Sequence, residues 1–229
     1  MSKETTQDRR GLKILDRYIK ARKKDQQKEE AKAKQDEEKR LADLREFRPT
    51  RDVIEIEDKY LISPPPDEVL ALATRILSIE VGYTPQDERI REERDWDSNI
   101  APVWNDVKKI RRKGERRQVE QTEELSKEQY DARYALTPDA RLIKTRYEII
   151  LGEYRVHLDQ FHGVLEGRWM GEVEAESEEA LDEFFANPPE YFKNSQGEID
   201  RLYGERRNSF SSKRLARFGW PEEIGEIAI

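Results

Sequence analysis

The sequence predicts an α+β fold, an eight-stranded antiparallel β-barrel with flanking helices that follows a long charged N-terminal helical extension. Three observations predict it. After position 50 the chain contains about eight strand-like segments joined by short turns, and antiparallel strands in that number close readily into a barrel. Charged residues make up 41% of the 229 residues and hydrophobic ones only 35%. Charge also divides the chain, because residues 1–50 hold 16 Lys and Arg against 11 Asp and Glu, whereas the rest is acidic.

Residues 1–50 are interpreted as a charged helical extension that is disordered in part. From residue 8 to residue 47 there is no proline, and long runs of Lys, Glu, Gln, Ala and Arg favour helix. Leu12, Leu15 and Ile19 share one helical stripe, but the following residues are almost devoid of apolar side chains and cannot bury a core. Two interpretations stay open: a solvated extension without a specific role, or a contact of residues 8–47 with a protein or a membrane surface.

Residues 51–229 are predicted to form the barrel domain. Alternation of apolar and charged residues predicts a first strand over 52–62, and the run Ser63-Pro64-Pro65-Pro66 ends it. Further strands are predicted at 79–84, 87–96, 103–111, 115–121, 141–150, 153–161 and 168–176. Helices are predicted at 67–78, 126–136, 177–187 and from Ser211 or Ser212 to Gly219, with Ser126 and Ser177 as N-caps.

Each predicted strand carries charged side chains on one of its two faces. Selecting these faces by period-2 alternation, and adding the first lysine of the last helix, gives fourteen residues. The cations are Lys59, Arg89, Arg91, Lys108, Arg116, Lys144, Arg146 and Lys213. The carboxylates are Glu55, Glu57, Glu120, Asp159, Glu172 and Glu174.

Any one of these residues alone is typical of a solvated strand face. If they share one barrel interior, the arginines suit phosphate oxygens, to which a guanidinium presents a planar fork. The carboxylates suit Mg²⁺, which prefers a few carboxylates together with water and substrate phosphates. The mixture therefore predicts a cavity that takes a phosphate compound together with a divalent metal ion, since without both ligands the like charges would repel.

Composition excludes several classes of function. The chain has no cysteine, so neither disulfides nor a thiolate metal site is expected. No apolar run approaches the roughly 20 residues of a membrane span, and the N-terminus lacks an apolar signal region. A cytoplasmic protein is therefore expected. The acidic body argues against nucleic-acid binding, which needs a broad basic surface, but it allows one concentrated basic cavity.

The ordered set of motifs resembles the CYTH domain, also called the triphosphate tunnel metalloenzyme family, over residues 52–221. Its components are Glu55-x-Glu57-x-Lys59, Arg89-x-Arg91, Lys108, Arg116-x-Gln118-x-Glu120, Lys144-x-Arg146, Asp159, Glu172-x-Glu174 and the segment from Leu215 to Pro221. Two features depart from the family pattern. Gln118 stands where the family usually has Glu, and segment 187–210 matches poorly, which weakens the assignment of Lys213.

The resemblance implies an antiparallel tunnel that binds a triphosphate compound with Mg²⁺ or Mn²⁺, in a family whose members are often homodimers. It implies a metal-dependent triphosphatase that cleaves inorganic triphosphate or an organic triphosphate. The cations named above would hold the phosphates and the six carboxylates would hold metal. Lys59 and Glu57 would be the catalytic residues, with Lys59 orienting or activating the attacking water.

Two alternatives remain open at this point. One is cyclisation of ATP to cyclic AMP, which requires a base pocket and a group that orients the 3′-hydroxyl; the sequence has no clear sign of either. The other is a non-catalytic module that binds a triphosphate or polyphosphate and signals through the N-terminal helix, which Gln118 and the long extension favour. Turnover separates this binding module from both enzymes.

Overall fold

The computed structural model of the chain describes residues 51–96, 99–111, 115–193 and 197–221, together with Lys28 and Lys32. The predicted extension therefore lies outside the described residues apart from those two lysines. Within the described part of the chain, no helix combines the length and the apolar character needed to cross a membrane.

Eight antiparallel strands close into a barrel. They are β1 (Arg51–Leu61), β2 (Arg75–Tyr83), β3 (Arg89–Asp95), β4 (Val103–Arg111), β5 (Arg117–Glu124), β6 (Arg141–Leu151), β7 (Tyr154–Phe161) and β8 (Trp169–Glu174). The spatial order is β5-β4-β3-β2-β6-β7-β8-β1, and the pairing of β1 with β5 closes the ring. A two-residue strand, β9 (Asp200–Arg201), adds to β1. The predicted eight-stranded antiparallel barrel is confirmed.

Among the residues that the structure describes between 51 and 221, five α-helices flank the barrel: α1 (Asp67–Leu70), α2 (Lys127–Tyr134), α3 (Glu178–Ala186), α4 (Gly204–Ser209) and α5 (Ser212–Phe218). Two of them begin at the predicted N-caps. Ser126 accepts a hydrogen bond from the Gln129 backbone, and the Gln129 side chain accepts one from the backbone of Ser126, which together satisfy two of the free N–H groups of the first turn. Ser177 accepts from the backbone of Ala180.

The predicted helix over 67–78 is wrong beyond its first turn. Helix α1 ends at Leu70, and residues 75–78 already belong to β2. Short apolar runs do not distinguish helix from strand by periodicity. Here strand pairing decides that residues 75–78 are extended, because β2 forms hydrogen bonds with both β3 and β6. The strand also buries Leu77, Ile79 and Val81 on one face.

The buried apolar residues that the structure describes form a cluster at one end of the barrel interior and two others, the smaller of which consists of Ile90, Leu125 and Tyr130. On the outer face, Tyr60 packs with residues of α3, including Leu181 and Phe184. Gly171 permits this packing, since a Cβ there would lie 2.0 Å from the Tyr60 ring. The Tyr60 ring therefore lies directly against Gly171 of β8.

The inner cluster fills one end of the barrel. Val81, Leu142 and Met170, from the inner faces of three strands, pack with Phe210 and Leu215 from the C-terminal segment. The charged side chains of the same strands lie beyond this apolar plug. The plug therefore leaves the polar half of the interior as the cavity of the domain.

Candidate functional site

The polar half of the barrel interior is a cavity of about 1260 Å³ lined mainly by charged side chains. Strand alternation explains its composition, because every second residue of each strand faces the interior. In the β1–β8 ladder Glu57 lies opposite Glu174 and Lys59 lies opposite Glu172. In the β4–β5 ladder Lys109 lies opposite Glu120. The Lys59–Glu172 and Lys109–Glu120 pairs thus place opposite charges side by side, whereas Glu57 and Glu174 place two carboxylates next to each other.

Glu57 is surrounded by cations although its side chain is almost fully buried. Its Oε1 lies 3.1 Å from an Arg111 nitrogen and 3.5 Å from an Arg207 nitrogen, and its Oε2 lies 3.4 Å from Lys109 Nζ. Burial alone would raise the pKa of Glu57, but Lys109 and Lys59 lower it to about 2. Three cations therefore share one carboxylate that stays ionised.

A second group of cations surrounds Glu120. Arg89, Arg91 and Lys109 approach its carboxylate at 3.7, 3.6 and 3.3 Å. Burial raises the pKa of Glu120, but the charges of Arg91 and, to a smaller extent, Lys109 lower it to about 2. Lys109 belongs to both groups, because it also contacts Glu55 at 2.8 Å and Glu57.

A chain of alternating charges runs through the buried wall of the cavity. Lys144 contacts Asp159, Asp159 accepts from Arg146 Nε at 2.7 Å, Arg146 contacts Glu172, and Glu172 contacts Lys59. Burial and the neighbouring Arg146 lower the pKa of Lys144 to about 8, although Asp159 opposes the shift. Such fully paired buried charges hold one another in place.

His157 lies beside this chain, buried on the cavity wall. Its Nδ1 lies 3.0 Å from a terminal Arg146 nitrogen. An arginine can only donate, so this ring nitrogen accepts and the proton of the neutral ring belongs on Nε2. Its Nε2 has no hydrogen-bond partner among the described residues.

Glu174 marks the part of the wall where carboxylates outweigh cations. Burial raises its pKa, and Glu55 and Glu172 raise it further against the opposing effect of His157. Among the described residues, no three acidic or imidazole groups already converge in a metal cage. Mg²⁺ nevertheless needs only one or two carboxylates when water and phosphate supply the other ligands. The oxygen donors at this wall fit such an ion.

Comparisons with known proteins show likeness in structure only. No protein-family model matches the chain, and no curated protein matches its sequence. The inorganic triphosphatase NE1496 is 23% identical over 72% of this chain and 95% of its own, with a TM-score of 0.47. HpAC1 from Hippeastrum, described as an adenylyl cyclase candidate with dominant triphosphatase activity, is 15% identical over 75% and 98%, with a TM-score of 0.41.

A third structure, described as an adenylate cyclase candidate of Bacillus halodurans, is 18% identical over 70% of this chain and 99% of its own, with a TM-score of 0.44. At these identities the likeness concerns the fold alone. The closed barrel itself is established by the strand pairings.

The structure brings most of the fourteen CYTH-like residues to the cavity. The wall of the cavity contains Glu55, Glu57, Lys59, Arg89, Arg91, Lys108, Glu120, Lys144, Arg146, Glu172, Glu174 and Lys213. Asp159 is fully buried on the same inner face, where Lys144 and Arg146 contact it. Its predicted role as a metal ligand stays a prediction. Lys213 lies in the first turn of α5, as expected. It is at the rim of the cavity, where its Nζ is 3.2 Å from a carboxylate oxygen of Asp87.

Two cations of the predicted set are placed differently. Lys108 also lines the cavity but has the opposite strand parity, and Lys109 is the residue that contacts the cavity carboxylates. The register decides this, because Lys109 is the partner of Glu120. Arg116 precedes β5 and is not subject to its alternation; it contacts Asp58 at 3.4 Å and Asp182 of α3 at 2.8 Å.

The three cations that contact Glu57 were not predicted from the sequence: Lys109, Arg111 and Arg207. The first two could have been found by fixing the register of the β4–β5 hairpin, which aligns Lys109 with Glu120 and Arg111 with Gln118. Arg207 lies in the short helix α4, within the segment that matches the CYTH motifs poorly. No periodic pattern in the sequence marks it.

Proposed function

We propose that the chain binds a triphosphate compound in the barrel cavity and hydrolyses it with the help of a divalent metal ion. The observation that carries this proposal is a surplus of cations with unmet donors. Arg89, Arg111 and Arg207 each have a buried Nε without a hydrogen-bond partner among the described residues. Buried donors without partners are costly, and phosphate oxygens are the acceptors that guanidinium groups suit best.

The phosphate-binding residues would be the arginines and lysines of the cavity wall. Arg89 and Arg91 would act from β3, Lys109 and Arg111 from β4, and Lys144 and Arg146 from β6, with Lys213 at the rim. Charge neutralisation and positioning provide most of the rate enhancement in phosphoryl transfer. A cavity walled on all sides by β-strands supplies both, because its cations are fixed by their carboxylate partners before substrate enters.

The metal-binding residues would be Glu174, Glu55 and Glu57. They supply the hard oxygen donors that Mg²⁺ or Mn²⁺ accepts, and Glu57 and Glu174 lie opposite each other in the β1–β8 ladder. When bound, the metal would supply charge neutralisation for the phosphates and activation of water. Glu120 and Glu172 lie opposite lysines, Lys109 and Lys59, in their ladders, so we assign them to positioning.

Lys59 and Glu57 would be the residues beside the reacting phosphate. Both line the cavity, and the contact with Glu172 fixes the Lys59 ammonium in place. Lys59 would hold the attacking water by hydrogen bonding, and the neighbouring cations would stabilise the charge that develops on the leaving phosphate.

The test is phosphate release from inorganic triphosphate, ATP and thiamine triphosphate, each with Mg²⁺, Mn²⁺ or EDTA. Glu57→Gln should abolish metal-dependent turnover while leaving triphosphate binding in EDTA unchanged or tighter, because it removes a carboxylate from among three cations. Exposed Glu176, two positions after Glu174, gives the control Glu176→Gln, which should behave as wild type. Turnover that is equal in EDTA and Mg²⁺ would contradict the proposed metal dependence.

A second candidate function is a module that binds triphosphate without cleaving it. Gln118 favours it, since its amide lies between Glu55 and Arg111, at 2.8 and 2.6 Å, where the CYTH pattern has a further carboxylate. One fewer negative charge weakens metal binding. Tight binding of inorganic triphosphate without turnover in either metal would select this module over the enzyme.

A further inference from the structure

Arg207 is the cavity cation that the C-terminal segment supplies. It belongs to the six-residue helix α4, outside every CYTH-like motif of the sequence. One of its terminal nitrogens donates to the backbone oxygen of Glu57 at 2.8 Å and the other to the Asp58 carboxylate at 3.1 Å. Arg207 therefore donates hydrogen bonds to two consecutive residues of β1: Glu57, whose side chain faces the cavity, and Asp58, whose side chain faces outward.

Arg111 of β4 approaches the carboxylate of Glu57, which Arg207 also approaches. Its terminal nitrogen lies 3.1 Å from Glu57 Oε1, the atom that Arg207 approaches at 3.5 Å. The pKa of Arg207 is lowered by burial and then by the charge of Arg111, as expected for two guanidinium groups held close together. With Lys109 on the second oxygen of Glu57, three cations contact this one carboxylate.

Neighbouring groups hold both arginines in position. Gln118 accepts from Arg111 at 2.6 Å. Asp58, which holds Arg207, is itself contacted by Arg201 and Arg116 on the outer face of β1. The two guanidinium groups are therefore fixed in place although they repel each other. Proteins retain such like-charge pairs where an anion bridges them.

We propose that Arg111 and Arg207 form a subsite for one terminal phosphate group of the bound triphosphate, with Asp58 as the residue that positions Arg207. The inference rests on the proposed binding of a triphosphate compound. It adds a subsite between β4 and α4, separate from the Arg89–Arg91 pair around Glu120. The buried Nε atoms of Arg111 and Arg207, which have no partner among the described residues, are the donors that the phosphate would satisfy.

The test is the dissociation constant of inorganic triphosphate, measured by titration calorimetry with the full chain in EDTA. Arg207→Met and Arg111→Met should each weaken binding roughly tenfold to a hundredfold, the effect of one charge-assisted hydrogen bond or two. Arg207→Lys should recover part of the loss, because it keeps the charge but not the fork. Arg206→Met, on the same helix and paired with Asp200, is the matched control and should bind as wild type.

Asp58→Asn tests the positioning role, since it should weaken triphosphate binding less than Arg207→Met and have no further effect in the Arg207→Met background. Thermal unfolding of each variant verifies folding, and Arg111→Met tests the subsite if Arg207→Met does not fold. Wild-type affinity in both arginine variants would overturn the subsite while leaving the proposed function intact. Failure of the wild-type chain to bind triphosphate would instead overturn the proposed function.

Discussion

Gln118 and Glu55 lie opposite each other in the β1–β5 ladder, and the Gln118 amide donates to the Glu55 carboxylate at 2.8 Å. The amide oxygen of Gln118 accepts from Arg111 at 2.6 Å. Only an amide can make both contacts, because a carboxylate accepts but cannot donate. Gln118 is thus matched to a place between an anion and a cation.

We predict that Gln118→Glu makes the stability of the domain depend on a divalent cation. The new carboxylate would face Glu55, and like charges directly opposite each other destabilise a ladder by about 1 kcal/mol. In EDTA at pH 7 the free energy of unfolding should fall by about that amount, and Mg²⁺ should restore it because a carboxylate pair is a better ligand. Urea denaturation with and without Mg²⁺ measures the effect.

The control for this experiment is Gln160→Glu on β7, whose ladder partners, Thr145 and Trp169, carry no charge. Its stability should not respond to Mg²⁺. If Gln118→Glu were as stable as wild type in EDTA, the pairing of Gln118 with Glu55 would not be the reason for an amide at this position.

Lys108 and Lys109 provide a direct test of strand parity. Lys109 contacts Glu55 and Glu120 in the cavity, whereas Lys108 has the opposite strand parity and lies opposite Gln121. Lys109→Met should weaken binding of inorganic triphosphate about tenfold or more, the effect of losing one charged hydrogen bond. Lys108→Met should change it less than twofold. The reverse result would show that the sequence-based assignment of Lys108 is right for the bound state.

The barrel could be predicted because its signal is repeated in every strand. Alternation recurs in β1, β6 and β8, and short turns between strands favour antiparallel neighbours. The same signal fails where apolar residues are consecutive, as in residues 75–78, which belong to β2 because β3 and β6 pair with it. Tertiary pairing, not local propensity, decides such segments.

The site could be predicted only as far as alternation extends. Glu57 and Lys59 lie mid-strand, so their parity fixes their direction. In β4 a shift of one residue exchanges Lys108 and Lys109, and Arg116 lies just outside its strand. Arg207 depends on where α4 packs against β1, a contact between residues 150 positions apart in sequence, which no local pattern encodes.

The affinity for inorganic triphosphate should fall as pH rises through about 8. Lys144 lines the cavity, and burial together with Arg146 lowers its pKa from 10.5 to about 8. Its positive charge is therefore present below about pH 8 and lost above it. Titration calorimetry in EDTA at pH 7 and pH 9 should show a loss of several-fold, of the size expected for one hydrogen bond to a charged group.

The matched variant for this measurement is Lys144→Arg, which stays charged across the range. Because both proteins are titrated with the same ligand, the ligand's own protonation cancels in the ratio of their affinities. That ratio should rise in favour of the arginine variant between pH 7 and pH 9. A constant ratio would mean that Lys144 does not contribute its charge to binding.

The ionised Glu120 should make the domain sensitive to acid. Its pKa is lowered from 4.5 to about 2 against the effect of burial, by Arg91, Lys109 and Arg89. A carboxylate with a lowered pKa contributes stability that is fully present above about pH 4.5 and is lost as pH falls towards 2. The contribution amounts to roughly 3 kcal/mol for a shift of this size. Glu120→Gln should therefore be less stable than wild type at pH 7, and the difference should shrink as pH falls towards 2.

Urea denaturation between pH 7 and pH 2 measures this difference, with exposed Glu124→Gln at the end of the same strand as the control. A difference between Glu120→Gln and wild type that stayed constant with pH would mean that lost packing, not the ionised carboxylate, accounts for the effect.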